Sequence, residues 1–203
     1  MAPKVSEEHM AERRNQILDA AVTTFSRNGF HQTTIEDIRV ESGMSRGAIY
    51  HYFKSKEDII DAIRERSSGQ AEGFYDDAST SDDAATRLTD LVAATFRMMT
   101  SPSSSDANRL GVYLWAESLV NPRIMAGQLP SFSPYLEVIA ADVGEMQAQG
   151  KVNPDMDRMV VARVIAATML GLQIQLTWEP DNVDMEEASK VFDSMLSGSF
   201  RTG

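Results

Sequence analysis

Residues 33–52 read TTIEDIRVESGMSRGAIYHY, and this stretch decides the fold. Thr33-Thr34-Ile35-Glu36 has the form of a capping box, in which the Thr33 hydroxyl takes a first-turn amide while Glu36 reaches back. A short helix follows, with Ile35 and Ile38 turned inward, and it ends near Ser42-Gly43. Gly43 permits a tight turn, and Ser45 caps a second short helix through Tyr50. Two short helices joined by such a turn make a helix-turn-helix.

The second helix of that motif presents its N-terminal residues to base edges in the major groove. Here those residues are Ser45, Arg46, Gly47 and Ala48. Small side chains allow close approach, and Arg46 can give guanine two parallel hydrogen bonds. Tyr50, His51, Lys54 and Lys56 add donors and cations suited to phosphates. Ile49 and Phe53 read instead as plugs of a three-helix core.

Outward from the motif, every periodic segment is helical and no strand pattern occurs. Upstream, Ile17, Leu18, Ala21, Val22 and Phe25 share one helical face, and Gly29 is a natural stop. Downstream, Ser55 caps a helix whose first turn holds Glu57 and Asp58 and whose inner face is Ile59, Ile60 and Ile63. The acidic run at 76–83 predicts a loop or a frayed helix end, residues 84–100 an amphipathic helix, and 101–105 a break. Residues 107–120 are apolar nearly all round and predict a central buried helix. Pro130 and Pro134 predict a further loop, followed by a helix through Tyr135, Leu136, Ile139, Val143 and Met146. A long apolar helix at 155–177 and a last one at 184–197, capped by Asp184 with Glu187, complete the chain. The expectation is an all-α fold of about nine helices. Residues 1–56 form a three-helix DNA-binding domain, and 57–203 a helical ligand-binding and dimerisation domain.

The charge supports that division. The chain carries a net −11, yet residues 1–56 hold eight lysines and arginines against seven acids. The remainder holds 11 bases and 23 acids, so DNA contact is expected only in the N-terminal part. Absence of cysteine excludes disulfides and thiolate metal sites. All three histidines (His9, His31, His51) are N-terminal, and no metal cluster, phosphate loop or nucleophile elbow occurs, so neither cofactor, metal nor enzymatic activity is expected. The N-terminus has no apolar signal core, which predicts a cytoplasmic protein. Residues 159–178 have the length of a membrane span, but Arg163, Gln173 and Gln175 make a buried soluble helix the expectation.

The runs F-x-x-x-G-F-x-x-T-T-I-x-D-I and S-G-M-S-R-G-A-I-Y-H-Y-F-K-S-K-E-D-I closely resemble the tetracycline-repressor (TetR) family over residues 13–62. The resemblance implies a homodimer on a palindromic double-stranded operator, released by a small molecule. It implies phosphate contacts for Thr33, Thr34, Tyr50, His51 and Lys56, and base contacts for Arg46 and Gly47. A ligand-independent or partner-regulated regulator is the alternative.

Two further sites are expected. Val160, Val164, Ala167 and Gly171 form a stripe that can pair, across a two-fold axis, with Ala188, Phe192 and Met195. A cavity for a largely apolar ligand can be lined by Phe96, Met99, Tyr113, Leu114 and Trp115. Phe132, Tyr135, Met169, Gln173 and Trp178 can complete it. Glu117, in an otherwise apolar helix, either meets a cationic or polar ligand or pairs with Arg109 or Arg123.

Overall fold

The computed structural model describes residues 7–78, 81–101 and 104–199, with side chains for all of these except 69–78 and 196–199. Among the described residues there are nine α-helices and no strand. They are α1 (Glu7–Gln32), α2 (Ile35–Ser42), α3 (Arg46–Tyr52), α4 (Lys56–Ala78), α5 (Ala84–Thr100), α6 (Ser104–Ser118), α7 (Pro122–Ala148), α8 (Arg158–Trp178) and α9 (Met185–Ser199).

The chain divides into two compact units, and neither follows the expected boundary after residue 56. One unit joins Met1–Ser67 to Arg109–Gln128, and the other joins Ser68–Asn108 to Leu129–Gly203. In the first, Ile17, Leu18 and Phe25 of α1 pack with Ile38 of α2, Ile49 of α3 and Ile59 and Ile60 of α4, all fully buried. Each such side chain contributes roughly 1.5–3 kcal/mol. Leu110 and Leu114 of α6 and Ile124 of α7 belong to the same core. The three-helix head therefore borrows apolar surface from chain 50 or more residues downstream, which local periodicity does not reveal.

In the second unit the core is built from Leu88 and Val92 of α5, Ile139 and Val143 of α7, Ile165 of α8 and Phe192 of α9. Phe96 and Phe192 meet edge-on with centroids 6.3 Å apart. Arg87 ties α5 to α7 through Asp142 and Glu145, at 2.6 Å each. Burial pushes the Asp142 carboxyl above the usual carboxylate range, against the pull of Arg87.

Several expected elements are moved. The capping box lies one residue on: Thr34 is the N-cap and Asp37 its reciprocal partner. Thr33 cannot cap because it is buried, its hydroxyl donating to the carbonyls of Gly29 (2.7 Å) and Thr24 (3.2 Å). Gly29 does break α1, at φ +75°, although one further helical turn follows it. Helix α4 continues through Ala78 into the acidic run expected as a loop or a frayed helix end, whose residues 79–80 lie outside the described ones. Pro130 and Pro134 lie inside α7 rather than in a loop. Their missing N–H groups strand the carbonyls of Ala126 and Pro130 four residues back, and these positions are exposed, where water can serve them. Helix α6 is buried on one face only, with Tyr113 39% exposed. Helix α8 begins at Arg158 after the Asp157 N-cap and is not the buried helix expected: 28% of its most apolar 18-residue window is covered.

Candidate nucleic-acid interface

Three N-caps fix the geometry of the helix-turn-helix. Thr34 starts α2, Gly43 ends it in the left-handed region (φ +65°), and the Ser45 hydroxyl accepts the Ala48 N–H at 3.2 Å to start α3. The Ser55 hydroxyl accepts the Asp58 N–H, while the Asp58 carboxylate accepts the N–H groups of Lys54 and Ser55. Arg123 also grips Asp58 at 2.7 Å, and this bond, with the Lys54 N–H, holds the Asp58 carboxyl below its ordinary range.

Ile49 and Phe53 anchor one side of α3 in the core, as expected. Ser45, Arg46, Gly47, Tyr50 and His51 are exposed on the other, and Ala48 is half-buried. The Arg46 guanidinium lies over the Tyr50 ring, 5.6 Å from its centroid. A Cβ built on Gly47 would meet no atom within 4 Å. Among the described residues, no packing against other parts of the chain explains the glycine.

Two expected phosphate contacts are already committed elsewhere. Thr33 is fully buried, as described. Lys56 donates to the Phe30 carbonyl at 2.7 Å and sits 4.6 Å from the centre of the Phe30 ring. It ties the start of α4 to the end of α1. Thr34 is exposed, and its hydroxyl is shared with Asp37.

Ion pairing sorts the remaining cations. Arg14 pairs with Glu65, Arg27 with Glu41, Arg39 with Glu36 and Arg66 with Asp19. Among the described residues of this unit, Arg13, Arg46, Lys54, Lys56 and Arg109 form no ion pair with a carboxylate. A groove of about 520 Å³ beside α3 is lined by His9, Met10 and Arg13 of α1 together with Ser45, His51 and Tyr52. Sequence reasoning missed the α1 side of this groove, since Arg13 and Arg14 look alike until their partners are seen.

The expected ligand residues are not gathered in one unit. Phe96, Met99, Tyr135 and Met169 are buried in the second core, Phe132 packs against it, and Gln173 is half-buried. Tyr113, Leu114, Trp115 and Glu117 belong to the first unit. Glu117 is buried and pairs with neither Arg109 nor Arg123, but with His31. Trp178 is 74% exposed and lines no interior of this chain. Of the expected dimer residues, Val160, Val164, Ala167 and Met195 are exposed, and Gly171 and Ala188 half-buried. Phe192 is a correction: it is 5% exposed and belongs to the core.

The chain is similar to known proteins along most of its length. Residues 17–63 match the family of bacterial regulatory proteins, tetR family, and residues 84–201 match the BetI-type transcriptional repressor, C-terminal. The HTH-type transcriptional regulator YfiR of Bacillus subtilis is 48% identical over 74 residues, 36% of this chain and 35% of its own length. The chain thus spans about a third of that relative. The HTH-type transcriptional regulator UidR of Escherichia coli is 26% identical over 159 residues, 78% of this chain and 79% of its own. A transcriptional-regulator structure from Saccharomonospora viridis, in complex with choline, superposes with TM-score 0.82 at 26% identity, over 95% of this chain and 100% of the other.

Proposed function

We infer the function from one premise: the chain belongs to the tetR family of bacterial regulatory proteins and carries the C-terminal part of a BetI-type transcriptional repressor. It is a DNA-binding, helix-turn-helix transcriptional regulator. Beyond that, the reading is of a cytoplasmic, non-enzymatic homodimeric repressor that leaves a palindromic operator when a small molecule binds. The observation that carries the DNA reading is the edge of α3. Ser45, Arg46 and Gly47 are exposed there, and among the described residues Arg46 has no acidic partner and nothing outside the local helix backbone lies within 4 Å of a Cβ at Gly47. Arg46 reads a base pair by two parallel hydrogen bonds, Gly47 lets the backbone approach, and Thr34, Tyr50, His51 and Lys54 contact phosphates.

One head reads one half-site, so a second copy is required for a palindrome. The exposed apolar stripe of α8, with Val160 57% and Val164 54% uncovered, supports α8 and α9 as the dimer interface. A bilayer would suit the length of α8, but the helix lies within the repressor match and carries Arg163, Gln173 and Gln175. In the second unit, Phe96, Met99, Phe132, Tyr135, Met169 and Gln173 are the residues offered for a largely apolar ligand. The ligand must bind the DNA-incompetent form more tightly than the competent one, or it releases nothing.

Titration of the protein into duplexes from the DNA beside its gene, by gel shift, tests the reading. A shifted duplex that choline or another small molecule releases is the expected result; choline is the first probe because the S. viridis relative holds it. Binding that no small molecule alters would replace ligand control with the ligand-independent alternative. Failure to bind any duplex would remove the DNA reading itself.

A further inference from the structure

We propose that the first turns of α1 make a second DNA contact, in which Arg13, with His9 beside it, holds the phosphate backbone flanking the groove that α3 reads. The proposal rests on the DNA reading of α3 and extends its footprint to an element outside the helix-turn-helix. His9 and Arg13 are four residues apart, so they share one face of α1. That face and the exposed side of α3 line one groove, with Arg13 on one wall and Ser45 and His51 on the other. A strand backbone that satisfies the α3 donors is therefore carried along the groove past Arg13.

Adjacent arginines show that the arrangement is not a generic basic surface. Arg14 is paired within the chain at its surface, 3.3 Å from Glu65 and 5.6 Å from the centre of the Phe53 ring. Arg13 is exposed and forms no ion pair among the described residues. The other side of α1 is acidic: Glu12 and Asp19 border a separate depression with Glu41. Glu12 also reaches His9 at 3.6 Å, so Arg13 is the principal cation of the groove. In a chain of net −11, a polyanion is drawn only to places where cations lack carboxylate partners, and this groove is one. Phosphate contacts of this kind fix register and orientation without reading sequence.

The test measures affinity for operator and for an unrelated duplex across a range of salt, using the full-length protein. Arg13→Ala should weaken both duplexes alike, several-fold, and reduce the slope of log affinity against log salt by about one per protomer. Arg13→Lys should retain most of the slope. Arg27→Ala, which removes an arginine already paired with Glu41, should leave it unchanged. An unaltered slope in Arg13→Ala overturns the proposal, as does a loss confined to the operator. Arg46→Ala keeps the two readings apart. If it abolishes operator preference while Arg13→Ala behaves as wild type, only the α1 contact falls; if neither matters, the reading head itself is misassigned.

Discussion

Nε2 of His31 lies 2.9 Å from the carboxylate of Glu117. The carboxylate is buried and the imidazole is exposed, so the contact fastens the segment after Gly29 to α6 within the first unit. His31→Ala leaves a buried acceptor without this partner and should cost about 1 kcal/mol, discounted for the exposure of the imidazole. Glu117→Gln keeps an acceptor and removes the buried charge, so it should cost less. Urea denaturation of both variants checks this, and equal midpoints for His31→Ala and wild type would show that the contact adds nothing.

Arg46→Ala should cost about 1–3 kcal/mol of operator binding and relax the preference at one base position in each half-site. Selection of bound sequences from a randomised operator reads both effects. An unchanged consensus would move base reading to another residue.

Gly47→Ala separates folding from binding. Nothing packs where the new methyl group would sit, and alanine is favoured over glycine in a helix by up to about 1 kcal/mol. Stability should hold or rise while operator affinity falls. A variant that binds as well as wild type would make Gly47 a bystander.

Val160→Asp with Val164→Asp should give a folded monomer, because both valines face away from the core of their own chain. Light scattering at micromolar concentration, with circular dichroism as the folding control, decides the matter. A variant that remains dimeric places the interface elsewhere.

Asp58 predicts a pH dependence. Its hydrogen bonds from Arg123 and from the Lys54 N–H lower its folded carboxyl range, so its stabilisation is present above the ordinary carboxylate value. The stabilisation is lost as pH falls below about 4 and through the depressed range. Asp58→Asn should flatten the acid limb of a plot of urea midpoint against pH. An unchanged limb would assign acid sensitivity to other groups.

The order and type of the helices were legible because apolar residues recur at helical spacing, and α5 has the boundaries that its periodicity predicts. The exposed edge of α3 was legible because caps and turns are local chemistry. What failed was long-range. Nothing in the residues near Thr33 tells which of two adjacent threonines is buried; Thr24 and Gly29 decide it. Lys56, expected at a phosphate, also donates to the Phe30 carbonyl, and Glu117, expected beside a ligand or an arginine, pairs with His31. Pro130 and Pro134 read as a loop because the sequence does not show that their stranded carbonyls face water. Phe192 and Trp178 are alike in hydrophobicity and opposite in burial, since tertiary packing alone distinguishes the inner face of α9 from the end of α8.

The pairing of arginines with acids around the head has a consequence for how such a protein finds its target. Arg27, Arg39 and Arg66 are neutralised within the chain, so they displace few counterions from bulk DNA. On DNA of any sequence, arginines paired in this way would add less attachment than unpaired ones, which would favour sites read through base contacts over random ones.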